Sequence, residues 1–456
     1  MIGKKDRVVK AHWAENKEVT AWGGLALAER LAHRTRLWSD CRKMMPSRTR
    51  TDAGYDSTAV VSAMIHGLLS GSRGTYAAEP LREDMALRRL VGLEAGVPEE
   101  ATVWRALGQW AEAGGAEALG RVQRRQCRRL IERTPIQAMR HGGFVPCFVD
   151  ATWLEVGRRT KFEGAKTFDG ATKLMLSTMW LGPYLVGQSF AAEGQGELTA
   201  SLELIGPVWK ELVKPMGLAE KVLFLADALY GNETGLKKFE ACEGARYVVG
   251  AGGLADVQRV ATEQPESQWE NTGADERRGW AESATCVHLF QGLDWERPRT
   301  VVTRRYRLEN EMFPRYASVL TNLEPADPRM VKLMRSERID FARAVWRLYD
   351  HKQAMENQFK DALIDLGLHH PPCRELARNE VFYAVAALAL NLAVGVRRIG
   401  LDRRGGAMRL WRLRRELFAI PARTAHHARR MRAQLYSTSN RLRSMFSAAM
   451  NRLASC

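Results

Sequence analysis

The chain has 456 residues, of which 45% are apolar and 13 are Trp, and it carries a formal charge of +17. The apolar share excludes a largely disordered chain. The length exceeds the roughly 250–300 residues at which a single core stops growing, so two or three domains are expected. The charge is concentrated: residues 397–456 hold 15 Arg, no Lys and only Asp402 and Glu416 as acids. Guanidinium groups bind phosphates bidentately and release condensed counterions, so an Arg-rich stretch with Trp411, Phe418, Tyr436 and Phe446 between the charges points first to nucleic acid. A solvated helical face or an anionic membrane surface is the plainer alternative. Seven cysteines, odd in number and without a CxxC pair, argue against disulfides and zinc and for a cytosolic setting. The charged start, Met1 to Lys10, has no apolar segment of the signal-peptide kind, so a cytoplasmic location is expected. The most apolar stretch, residues 381–396, falls short of the roughly 20 needed to span a bilayer and contains Asn391, so a buried core helix and no membrane are expected.

In chain order, residues 1–140 read as a helical region, with apolar residues three and four apart at 25–31 and 58–69. Gly96, Val97 and Pro98 turn into a helix that would offer Thr102 and Arg105 to a DNA groove if it were the second helix of a helix-turn-helix; plain three-helix packing explains the same text. A basic helix over 121–140 leads to a boundary at His141-Gly142-Gly143. From 144 the texture changes to short apolar runs at 144–149, 174–181, 185–191, 222–226 and 247–250, read as strands. Helices over 198–213 and 234–242 separate the later ones, which is the pattern of an α/β sheet with helices on its faces. Residues 251–340 read as a strand-rich insertion, with strands at 299–307 and 316–320. A long helix over 340–368, the apolar helix 381–396 and the Arg-rich tail from 397 complete the chain.

Asp150 follows the run 144–149, and Asp227 follows 222–226. Carboxyl ends of buried strands are where ligands collect in α/β sheets, and two such ends can share one site. An Asp that merely starts a loop is the bland reading of each. On the helix over 340–368, at about 100° per residue, Tyr349, Lys352, Glu356 and Lys360 fall within about 80° of one another. They form a polar stripe beside the apolar Leu348, Met355, Phe359 and Leu366. An exposed Glu–Lys pair four residues apart is the ordinary explanation of such a stripe.

These segments resemble the three catalytic motifs of DDE transposases from bacterial insertion sequences, and most closely the insertion sequence 1380 family. Phe148-Val149-Asp150-Ala151-Thr152 is similar to the family's first motif, and Leu225-Ala226-Asp227-Ala228-Leu229-Tyr230-Gly231-Asn232 to its second. Tyr349, Lys352, Glu356, Asn357 and Lys360 are similar to its third, with Lys352 where the family usually has Arg. The separations, 77 residues from 150 to 227 and 129 from 227 to 356, leave room for the insertion. The resemblance covers residues from about 20 to 400. It implies an α/β ribonuclease-H-like catalytic core (141–250 and 341–396) interrupted by the strand-rich insertion, between a helical N-terminal DNA-binding region and a C-terminal DNA-binding or dimerisation tail. It also implies two Mg2+ ions, with Mn2+ able to substitute, held by Asp150, Asp227 and Glu356. Asp150 would bridge the ions, and Tyr349, Lys352 and Lys360 would hold DNA. Terminal inverted repeats and target DNA are the implied partners, with a homodimer in the DNA complex. A catalytically silent DNA-binding protein or a nuclease that cuts without joining remains an alternative on the same fold. Pro146 within the first strand suggests an edge position or a bulge.

Overall fold

The computed structural model describes residues 16–47, 54–157, 161–252, 255–427 and 430–455. Met1 to Lys10 and Cys456 lie outside these residues. After the short strand β1 (Val19–Thr20), helices Ala26–Arg34, Leu37–Met44, Ser57–Ser70, Glu100–Glu112 and Gly115–Arg133 turn their apolar faces to a common interior. Asp56 caps Ser57–Ser70 by accepting from the Ala59 amide, and Gly71, at φ 106°, ends it in the left-handed conformation that glycine adopts without strain.

Ten strands form one sheet. They are β2 (Val145–Glu155), β3 (Lys166–Phe168), β4 (Ala171–Leu181), β5 (Tyr184–Phe190), β6 (Val222–Ala226), β7 (Arg246–Gly250), β8 (Glu270–Asn271), β9 (Trp280–Phe290), β10 (Arg299–Leu308) and β11 (Arg315–Thr321). Their order is β3-β4-β2-β6-β7-β11-β10-β9-β8, with β5 also paired to β4. β2, β6 and β7 are parallel neighbours, and the other pairings are antiparallel. The residues expected as an insertion supply β8 to β11, and these extend the central sheet instead of forming one of their own, because β11 pairs with β7.

Pro146 is not on an edge strand. β2 pairs with β6 on one side and β4 on the other, but the β4 ladder starts only at Cys147, so the missing proline N–H falls at the strand's beginning, where it costs little. β2 is also longer than the apolar run that announces it. It continues to Glu155 because β4 pairs with it to the end, so Asp150 lies within the strand and not at its terminus.

Helix Leu376–Gly395 is the hub of the molecule. It packs on helices Ser57–Ser70, Glu100–Glu112 and Gly115–Arg133 and on β5. With the turn that follows, its helical run reaches Gly400, long and apolar enough to cross a membrane, and 94% of its most apolar window is buried within the protein. Its polar residues are spent on the free edge of β5. Asn391 accepts from Leu185 N at 3.0 Å and donates to Leu185 O at 2.8 Å, and Glu380 accepts from Phe190 N at 2.6 Å. These bonds satisfy backbone groups that a buried strand edge would otherwise leave unpaired. Burial pushes the Glu380 carboxyl up to about 7.

The residues from 397 onward are not a free tail. β12 (Ala422–His427) joins β1 and β13 (Arg430–Leu435) in a second sheet, and helix Asn440–Ser455 packs on Ala26–Arg34. Leu410, Leu413, Leu417, Phe418 and Leu453 are fully buried. Eight arginines of this segment are bonded inside the chain. Arg397 and Arg409 pair with Asp361, Arg412 and Arg441 with Glu416, and Arg423 with Glu18. Arg414 donates to the carbonyls of Leu68, Leu69 and Asp365, Arg443 to Asn440 and Arg452 to Gly400.

Candidate functional site

The ladder between parallel β2 and β6 pairs Phe148 with Leu225. Two residues on from each come Asp150, still within β2, and Asp227, just past the end of β6, and the two carboxylates are near enough that Asp227 raises the Asp150 carboxyl. Asp150 stays anchored because its Oδ1 accepts from the Ala151 amide at 3.0 Å and its carbonyl accepts from Thr178 Oγ1 at 3.2 Å. Asp227 Oδ1 accepts from Leu229 N at 3.0 Å and caps the short helical turn Ala228–Tyr230. Gly250 closes β7 against this turn, and a Cβ there would stand 2.7 Å from Tyr349 Oη and 2.9 Å from Ala228 N. Only glycine allows that approach.

The third segment is helical from Phe341 to Asp365, but not as one regular helix. Phe341–Tyr349 leads into a tight 3-10 turn, Asp350–Lys352, then Gln353–Lys360 and a wide turn, Asp361–Asp365. The 3-10 turn advances the phase, so the expected stripe splits. Lys352 Nζ comes 3.9 Å from Asp150 Oδ2, and Tyr349 is near enough to both aspartates that they, after burial, raise its hydroxyl to about 12. Glu356 instead lies on the exposed side, 3.9 Å from Lys360 Nζ. Asp350 in the turn pairs with Arg278 and lies 3.7 Å from Arg304, whose guanidinium sits over Trp280 and Trp346. The strand-rich segment therefore clamps the turn that carries Lys352.

Electrostatically Lys352 does not offset the site's negative charge. Burial pushes the Asp150 carboxyl up to about 6, Lys352 opposes that rise, and Asp227 adds to it. A third carboxylate not expected from sequence, Glu197 at the start of helix Glu197–Glu203, is also raised by burial and then by Asp227 and Asp150. Tyr230 is fully buried, and burial together with the charges of Asp150, Asp227 and Glu197 raises its hydroxyl well above its ordinary range against the opposing contact with Ser201. Tyr230 stands in the second quoted motif; Glu197, in the run Glu193-Gly194-Gln195-Gly196-Glu197, carries no signal except a helix start. Among the described residues no three His, Cys, Asp or Glu side chains stand close enough to hold one metal ion together. The all-oxygen set around Asp150 nevertheless suits a hard cation such as Mg2+, and an added positive charge would relieve the carboxylate crowding.

Thr102 and Arg105 lie elsewhere, on the outer side of helix Glu100–Glu112, where Arg105 Nη2 donates to Thr102 Oγ1 at 3.2 Å. The inner side of that helix, Val103, Ala106, Leu107 and Trp110, is buried. His351 stacks on His141 with ring centroids 4.0 Å apart, and burial, then His141, lowers it to about 4.

An aspartate within β2 and another just past the end of its parallel neighbour β6, with a lysine and a tyrosine from a following helix, define an α/β protein with a paired-carboxylate site. Residues 198–456 match the family described as Transposase DDE domain group 1, and the chain belongs to that family. Membership implies a ribonuclease-H-like fold, DNA as substrate and divalent-metal dependence. No curated protein matches the chain.

Proposed function

We propose that this protein is an insertion-sequence transposase of the insertion sequence 1380 type, bacterial and cytoplasmic. It binds the element's terminal inverted repeats, cuts at the ends and joins the 3′-hydroxyl ends to target DNA. The nearness of Asp150 and Asp227 beyond the β2–β6 ladder, with Lys352 held against Asp150, is the observation that carries the reading. Asp150, Asp227 and Glu356 would hold two Mg2+ ions, or Mn2+, with Asp150 shared. The metals would supply a deprotonated nucleophilic oxygen and charge stabilisation at the leaving oxygen.

The protein's own part is positioning. Lys352 and Tyr349 hold the phosphate beside the cut bond, Lys360 holds the strand further along, and Thr102 and Arg105 face a DNA groove. Lys352 gives up the forked donor of Arg but keeps the charge. The strand-rich segment fixes the turn bearing Lys352 through Arg278 and Arg304. A homodimer would hold the two ends together. The helical residues 1–140 would serve DNA binding, and those from 397 onward DNA binding or dimerisation.

Glu356 joins the aspartates once DNA engages its helix. Glu197 is the competing third carboxylate, because its charge already bears on both aspartates. Incubating the protein with a labelled element end, target plasmid and Mg2+ tests the activity: joined product supports transposition, a cut without joining marks a nuclease, and no cut marks a silent DNA-binding protein. In the same assay, loss of cutting in Glu356→Ala but not in Glu197→Gln assigns the third position to Glu356, and the reverse assigns it to Glu197.

A further inference from the structure

A cavity of about 440 Å³ lies between the helical turn carrying Glu356 and the residues that follow helix Leu376–Gly395. Arg140, Arg397, Arg398 and Arg409 line it, and Asp361 is the one carboxylate among the lining residues. Asp361 is already shared by Arg397 and Arg409. Arg398 forms no ion pair among the described residues, and its Nε is buried without an acceptor. Burial and the neighbouring Arg397 lower its pKa, with Tyr184 and Asp361 opposing. Phe148, Trp180 and His351 also line the cavity, and Asn357 and Gln358 bring amides to it.

Phe148 and Asp150 share a face of β2 two residues apart, so the cavity opens about 7 Å from the carboxylates. Basic groups and aromatic rings lining one cavity fit a phosphate with a base attached to it, since guanidinium takes phosphate and a ring face takes any base. The volume lies within the range of small-ligand sites.

We propose that this cavity is a subsite for a phosphate-bearing nucleotide of the DNA strand adjoining the reacting one, with Arg398 as the phosphate ligand. The assignment rests on the transposase reading for its biological use, but the binding is testable by itself. Titration calorimetry of the full chain without divalent metal would compare three probes: a 5′-phosphorylated deoxydinucleotide, its 5′-hydroxyl counterpart and inorganic phosphate. The phosphorylated dinucleotide should bind the wild type at least tenfold more tightly than either of the others, and Arg398→Gln should erase that preference. Because Arg398 has no carboxylate partner, the variant should melt at or above the wild-type temperature, which separates lost binding from lost folding. Equal binding of the two dinucleotides, or an unchanged preference in Arg398→Gln, overturns the proposal. Inorganic phosphate binding as tightly as the phosphorylated dinucleotide also overturns it, because the aromatic rings would then contribute nothing. The transposase reading stands or falls separately, on end cutting and joining by the wild-type protein in Mg2+.

Discussion

The two most highly charged regions of this molecule treat charge in opposite ways. Beside β2 and β6, Asp150, Asp227 and Glu197 crowd together with Lys352 as the near cation, and their charges bear on the buried Tyr230 hydroxyl. From residue 397 onward the arginines that look free in the sequence are largely bonded within the fold, to Asp361, Asp365, Glu416, Glu18 and backbone carbonyls. Uncompensated charge costs stability and persists where a ligand completes it, whereas compensated charge joins parts of the fold. The density of charge in a sequence therefore says less about function than the partners the fold supplies.

Deleting residues from 397 onward should break this comparison most severely. The deletion removes buried Leu410, Leu413, Leu417 and Phe418 together with strands β12 and β13, so loss of the cooperative melting transition is expected instead of a well-folded protein with weaker DNA binding. A truncated protein that melts cooperatively near the wild-type temperature would show the segment to be an appendage. Next is Asp150→Ala, expected to lower Mg2+-dependent end cleavage by about a thousandfold or more while end binding by gel shift stays close to wild type. Asp361→Ala should cost about 3–5 kcal/mol in urea unfolding, because it removes the carboxylate that pairs with buried Arg397 and leaves Arg409 with Asp365 alone. A loss below about 1 kcal/mol would place those arginines in effective contact with solvent.

Acid titration sharpens the other side of the comparison. The Asp150 carboxyl is raised to about 6 in the fold, above its ordinary 3.8, so the folded chain binds a proton more tightly there than the unfolded chain. The associated stability is present below pH 4 and is lost as pH rises through about 6. In chelator, Asp150→Asn should therefore stabilise the protein by about 1–3 kcal/mol at pH 8 and by almost nothing at pH 3.5. The same gain at both pH values would mean that burial of the charge is not its source. The smallest effect is expected for the exposed arginines Arg415 and Arg432: each replacement by Ala should flatten the log–log salt dependence of DNA binding by about 0.9 if it meets a phosphate, and an unchanged slope removes that residue from the DNA surface.

Much of the sheet was legible because its strands are short apolar runs between turn residues, and β6 and β10 lie close to where those runs predict them. β9 was not, since Trp280–Phe290 mixes charged, small and apolar residues and becomes a strand by pairing with β10. Asp150 and Asp227 stood out as single acids after apolar runs. Glu197 did not, because its part in the site depends on helix Glu197–Glu203 packing on β2 and β4.

The sequence by itself determined the elements that local periodicity controls: the helical start, the apolar strands, the buried helix around Asn391, and the acids and bases offered by the segments around Asp150, Asp227 and Glu356. Tertiary structure alone decided which of them meet. The pairing of β2 with β6 brings Asp150 near Asp227, a 3-10 turn brings Lys352 to Asp150 while Glu356 stays exposed, and contacts such as Arg423 with Glu18, 405 residues apart, tie the Arg-rich segment to the N-terminal region. Such pairings depend on how distant surfaces fit and on which charges find partners there, and no local pattern along a chain encodes that.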